Sequence, residues 1–197
     1  MNVLCSYSKA ETIVKKSRFI AEVFPIQSQT DAREILKKQK TTYADAAHVV
    51  HAFICGSQAQ ISGMSDDGEP SGTAGRPVLD VLKGQSITNV LLTVTRYFGG
   101  TLLGTGGLVK SYGDAAKSVL SAAEVEPLIE RKKFSYVADY DMYEGIKRQL
   151  TGLSLTSVTE SFSSKITIEG FIEARDADLL VSRVKDLSHG KIQVQIS

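Results

Sequence analysis

Residues 89–112, NVLLTVTRYFGGTLLGTGGLVKSY, read as a strand, a glycine-rich turn and a helix. Asn89 to Phe98 is nearly continuous in apolar and β-branched residues, the pattern of a strand covered on both faces. After the glycines, Leu108, Tyr112, Ala115, Val119 and Ala122 recur at spacings of four, three, four and three, which predicts one apolar helix face. Thr105 is the expected N-cap, with Gly106 and Gly107 in the first turn.

Outward from this unit the chain keeps alternating. Arg18–Ile26 reads as a strand ending at Pro25, and Ser28–Lys40 as a helix that Ser28 caps with Asp31 three residues on. Ala46–Gly56 is a second buried strand, Ile61–Ser65 a short partner, and Thr73–Gly84 a helix with Pro77 in its first turn. Glu126–Lys133, EPLIERKK, is charged and suits a linker. Beyond it the pattern is strand, helix, strand, strand, helix, strand. The strands are residues 133–140, 155–161, 165–173 and 191–196. One helix starts with an Asp141/Glu144 capping box and buries Tyr143, Ile146, Leu150 and Leu153. The other starts near Asp176, buries Ala177, Leu180, Val184 and Leu187, and exits at Gly190. That βαββαβ order is the ferredoxin-like pattern. The expected fold is therefore α+β, with domains at 1–127 and 132–197.

The 197 residues carry 23 Lys+Arg against 22 Asp+Glu, net +1, with 42% hydrophobic and 23% charged residues. Such a chain builds an ordinary core and is neither disordered nor a basic nucleic-acid arm. Neither domain is strongly charged: 13 basic and 12 acidic side chains up to residue 127, then 10 of each. Met1–Lys9 has no signal-peptide character, no run reaches the roughly 18 apolar residues of a membrane helix, and the only cysteines, Cys5 and Cys55, lack metal spacing. The expectation is a cytoplasmic protein with no membrane partner.

Eleven of the 16 glycines fall in residues 63–113, and eight of them lie within two segments that carry candidate chemistry. In SDDGEPSGTAGRP (65–77), Ser65, Asp66, Asp67, Gly68, Glu69 and Thr73 form an acidic loop. Its carboxylates, Asp66, Asp67 and Glu69, are candidate Mg²⁺ ligands or general bases, against the plainer reading of an Asp-Gly turn. In RYFGGTLLGTGGLVK (96–110), Gly99, Gly100, Gly104, Thr105, Gly106 and Gly107 lead into a helix start whose N–H groups are a candidate anion site, with Arg96 and Lys110 as phosphate partners. The alternative is that these glycines serve tight packing. Neither nucleotide-binding spacing is met. His48 and His51 lie three apart on a strand and so on opposite faces, which leaves His48 as an accessory residue. Lys15, Lys16, Arg18 and Arg76 are further candidate phosphate contacts.

Four strings in this order, KKSRF (15–19), DAAHVVHA (45–52), SDDGEPSGTAGRPVL (65–79) and RYFGGTLLGTGGLVKSY (96–112), resemble the bacterial, YigZ-type branch of the IMPACT family. The resemblance implies an N-terminal α/β domain of the ribosomal-protein S-five domain-two type, with a mixed sheet backed by helices, and a ferredoxin-like C-terminal domain. The chain begins 14 residues before KKSRF, so the extra N-terminal domain of eukaryotic members is not expected. Those members restrain a stress kinase that acts on an initiation factor. The resemblance thus implies a translation-associated regulator that binds RNA, the ribosome or a translation factor without catalysis. A protein-interaction module and an Mg-dependent enzyme acting on a phosphate-bearing small molecule are the alternatives.

Overall fold

The computed structural model describes residues 1–197 and starts with strand β1 (Asn2–Leu4), followed by β2 (Ser8–Val14), β3 (Ser17–Pro25), α1 (Gln29–Thr42), β4 (His48–Cys55) and β5 (Ile61–Ser65). Helix α2 (Gly75–Gly84), β6 (Val90–Tyr97), α3 (Gly104–Ala122) and β7 (Val125–Pro127) complete a first unit, Met1–Leu128. A second unit, Ile129–Ser197, holds β8 (Arg131–Ala138), α4 (Tyr140–Gln149), β9 (Leu155–Phe162), β10 (Ile166–Glu173), α5 (Ala177–Leu187) and β11 (Gln195–Ile196). The α+β class expected from the sequence is what the chain adopts. No helix is long and apolar enough to cross a membrane.

In the first unit five strands form one sheet in the order β2-β3-β6-β4-β5, with β6 at its centre. Period-two alternation divides the central strands between two layers. Val90, Leu92 and Val94 of β6 pack with Val50, Ala52 and Ile54 of β4 against Val78 and Leu82 of α2 and Leu108, Tyr112, Ala115 and Val119 of α3. Leu91, Phe53 and Cys55 turn the other way, onto Ile26 and onto Ala32 of α1. Covering on both faces explains the unbroken apolar run in β6. The ladders are all antiparallel, so the sheet is not mixed: β3 and β4 run the same way but are separated by β6 and never pair. Lys15 and Lys16 make the two-residue β2–β3 turn, both with positive φ (47° and 67°), as a twisted hairpin requires.

The second unit has strand order β11-β8-β10-β9, antiparallel throughout, which is the ferredoxin-like arrangement of a βαββαβ chain. Phe134, Tyr136, Ile166, Ile168 and Ile172 of its sheet meet Tyr143 and Ile146 of α4 and Leu180 and Val184 of α5.

Local expectations fail in identifiable places. Glu126 and Pro127 are strand, paired with β1, and β8 starts at Arg131, so most of the expected linker is ordered sheet. The last strand keeps only Gln195–Ile196 of the expected 191–196. Ser28 and Asp31 do form a capping box on α1. However, α3 starts one residue before Thr105, with Leu103 at the cap position and no side-chain cap, because Gly104 turns the chain into the helix with φ +73°. Helix α4 begins at Tyr140, which places Asp141 inside the first turn instead of at the cap. Ala122 and Leu187, counted as buried from their spacing, are exposed at their helix ends.

Candidate functional site

Antiparallel register puts Phe19 of β3, Arg96 of β6 and His48 of β4 side by side in one row of the sheet. The loop after β5 lays Glu69 against this row. Arg96 Nη1 donates to Glu69 Oε1 at 2.6 Å, and the Tyr112 hydroxyl donates to the same oxygen at 2.8 Å. All three side chains are buried. The His48 Nδ1 lies 2.8 Å from the Asp67 carbonyl oxygen, which can only accept, so Nδ1 carries the proton and Nε2 turns towards Glu69 at 3.8 Å. The Arg96 guanidinium sits between the Phe19 and Phe98 rings, 5.6 Å from each centroid. Burial and the Glu69 carboxylate together push the Tyr112 phenol far above its ordinary pKa, so it remains a neutral donor.

The acidic loop is otherwise structural. Asp66 accepts N–H bonds from Gly72, Ala74 and Gly75 at 2.8–3.0 Å and thereby caps α2, whose own N-cap, Ala74, has no side-chain acceptor. Asp67 accepts from the Val49 N–H at 2.7 Å and pairs with Lys40. Burial alone would raise both carboxyls, but these bonds outweigh it and hold each below the ordinary carboxylate range. Asp66, Asp67 and Glu69 thus turn to three different sets of partners and do not assemble the Mg²⁺ ligand set suggested by their spacing; no group of three or more His, Cys, Asp or Glu is arranged to hold a metal. Ser65 and Thr73 bond within the loop.

A cleft of about 570 Å³ opens above the Arg96–Glu69 pair. Its walls come from β4 (Ala47, His48), the acidic loop (Glu69, Pro70), the end of β6 and the turn after it (Arg96, Phe98, Leu102, Leu103) and the start of α3 (Gly104, Thr105, Leu108). The acidic loop and the glycine-rich helix start therefore meet at one opening, which the sequence left undecided. Of the candidate site residues, His48, Glu69, Arg96, Gly104 and Thr105 line it. Gly99 instead packs on the β2–β3 turn, where a Cβ would come within 2.0 Å of the Lys16 carbonyl carbon, and its N–H bonds to Ser17 Oγ. Gly100, Gly106, Gly107, Lys110, Lys16, Arg18 and Arg76 lie outside the lining. His51, on the other face of β4, is held below its ordinary pKa by burial and by Lys40, against the opposing pull of Asp67. Sequence reading missed the apolar walls, Tyr112 and Ser17. The Phe98 and Leu102–Leu103 signal was visible, as apolar residues inside a glycine-rich turn.

The residue range that builds this cleft is also the range that matches a known family. The Impact N-terminal domain family model matches residues 15–120. The chain belongs to the IMPACT family. The IMPACT family member YvyE of Bacillus subtilis (strain 168) is 32% identical over 188 residues, covering 94% of this chain and 85% of that protein. The IMPACT family member YigZ of Escherichia coli (strain K12) is 30% identical over 183 residues, covering 92% and 90%. A crystal structure described as that of a hypothetical protein shares 28% identity, with a TM-score of 0.72 over 98% of this chain and 95% of the other. The IMPACT likeness thus extends over both units and not just the matched domain.

Proposed function

We propose that this IMPACT-family chain is a cytoplasmic, translation-associated regulatory protein that acts by binding, and that its N-terminal cleft receives a protein segment of the translation machinery in preference to RNA. Family membership supports the link to translation, since eukaryotic IMPACT members restrain a kinase of translation initiation.

The observation that carries the choice of partner is the state of the cations. Of the six expected to contact phosphates, four are held by carboxylates: Arg18 by Glu11 at 2.7 Å, Arg76 by Asp80 at 2.8 Å, Arg96 by Glu69 at 2.6 Å and Lys110 by Asp114 at 3.1 Å. Each pair presents a phosphate backbone with a neighbouring negative charge, which weakens the counterion release that drives RNA binding. The cleft mouth is apolar instead, with Leu102 84% and Phe98 51% exposed next to Leu103, Leu108 and Pro70. Such a contiguous apolar opening with a few convergent polar groups suits a protein side chain.

Cosedimentation with ribosomes and initiation or elongation factors tests this reading. The association is expected to survive nuclease treatment and moderate salt, and to weaken with Leu102→Ser, an exposed position where folding is undisturbed. Loss on nuclease treatment would assign the partner to RNA, and absence of any association would overturn the translation reading.

A further inference from the structure

Resting on that reading of the cleft, we propose that its occupant is recognised through a single carboxylate carried on an apolar body, the carboxylate bonding to Arg96 and to the first N–H groups of α3.

Three independent observations converge on this chemistry. First, the N-terminus of the 19-residue helix α3 opens at Gly104 and Thr105 into the cleft with no side-chain cap, so its orphan N–H groups and its dipole favour a negative group there. Second, Arg96 lines the same cleft while 5% exposed, and its donors are under-used. Nη1 bonds to Glu69, Nη2 reaches Ser17 Oγ only at 3.5 Å, and Nε is buried with no partner. A guanidinium offers five N–H donors, and buried donors without acceptors are uncommon in native proteins. Third, Gly106 is exposed, helical and without any atom within 4 Å of where a Cβ would stand, so neither its backbone angle nor its packing requires glycine. Gly106 does not line the cleft itself, but it follows Gly104 and Thr105 in the same first turn, so no side chain at this position covers the helix N–H groups.

The charge of the ligand follows from Glu69. Its carboxylate shares the wall with Arg96 at 2.6 Å and cancels most of the guanidinium charge, so the wall offers hydrogen-bond donors without a net positive field. A dianionic phosphate ester would lose more hydration than such a wall returns, and a monoanion loses less. The remainder of the wall, Phe98, Leu102, Leu103, Leu108 and Pro70, takes the apolar body. Two sources share this chemistry: the free C-terminus of a chain ending in apolar residues, and a small organic acid.

The full chain is titrated with an N-acetylated pentapeptide Gly-Ser-Gly-Leu-Phe, with its C-terminal amide, with octanoate and with phenyl phosphate. Binding is followed by calorimetry and by amide NMR shifts of Gly104–Leu108. The carboxylate peptide is expected to bind about tenfold or more tightly than the amide, the size of a charge-assisted hydrogen bond. Thr105→Glu, at an exposed first-turn position where an acidic residue suits the helix dipole, is expected to abolish that difference without lowering thermal stability. Arg96→Lys should reduce it while keeping the charge paired to Glu69. Peptide binding without octanoate binding identifies a chain terminus as the source, whereas octanoate binding as tightly as the peptide identifies a small acid and overturns the protein-segment reading while leaving the carboxylate assignment standing. Equal binding of acid and amide, tighter binding of phenyl phosphate, or no shift at Gly104–Leu108 would overturn the carboxylate assignment. If nuclease-resistant association with translation factors persists under those outcomes and is still lost in Leu102→Ser, only the ligand chemistry is wrong. If that association is absent as well, the reading beneath it fails too.

Discussion

Glu69 takes two hydrogen bonds on one oxygen from groups that are themselves buried, Arg96 and Tyr112. Removing the carboxylate charge and removing one of its donors are therefore very different changes. Glu69→Gln leaves a buried guanidinium without its counter-charge and is expected to cost about 3–5 kcal/mol. Tyr112→Phe removes one bond to a charged acceptor, about 1.5–3 kcal/mol. Urea midpoints of the two variants check the order, and the reverse order would mean that Arg96 finds another acceptor. Acid stability belongs to Asp66 and Asp67. Both carboxyls are lowered in the folded chain, so the unfolded state binds more protons near and below its carboxylate pKa of about 3.9. Their contribution is complete above that pH and disappears as the pH falls through the lower, folded values. Asp66→Asn should therefore flatten the fall in stability below about pH 4, measured by chemical denaturation across that range. The sequence marked Arg96 and Glu69 as candidate site residues and His48 as an accessory one, because each stands in a segment of distinctive composition. It could not show that they touch, since 27 residues separate Glu69 from Arg96 and only strand register brings His48 opposite.

Elements were legible where their signals are local. Helix α1 announces itself by Ser28 and Asp31, three residues apart, and the pair forms a capping box in the folded chain. The start of α5 near Asp176 was also placed correctly, whereas the starts of α2 and α3 were misplaced for one physical reason: the groups that begin them are remote or missing. Asp66 caps α2 from eight residues before Ala74, and α3 has no capping side chain at all. Residue spacing cannot report a cap supplied by another loop. The open start of α3 has an energetic consequence. Gly106→Ala relieves a helical glycine worth up to about 1 kcal/mol, so the melting temperature should rise by roughly 2–4 °C. The same methyl group narrows the approach to the helix N–H groups, and binding of the carboxylate peptide should weaken. A variant that is less stable would show that Gly106 has a packing role that the open space around it does not reveal.

At the scale of the molecule, the two units have separate cores. The clusters built on β6 and α3, and on β10 and α5, have no residue in common. Fragments 1–128 and 129–197 are therefore expected to fold independently, the smaller one with lower stability because a short chain buries a smaller fraction of its surface. Heteronuclear NMR spectra of the two fragments, overlaid on that of the full chain, test this directly; a fragment with collapsed dispersion would mean that its core needs the other unit. The βαββαβ order of the second unit was readable because β8 and β10 alternate along their lengths and α4 and α5 each carry an apolar stripe. The sheet of the first unit was not, because which strands neighbour β6 depends on partners far apart in sequence. One further property follows from the pairing of β1 with β7. The Leu128 N–H donates to the Met1 carbonyl at 3.0 Å, so the first unit begins and ends at the same point on its surface. It has the geometry of a cassette: two short spacers would splice it into a surface loop of a reporter protein, where filling of the cleft could be read from the host's own signal.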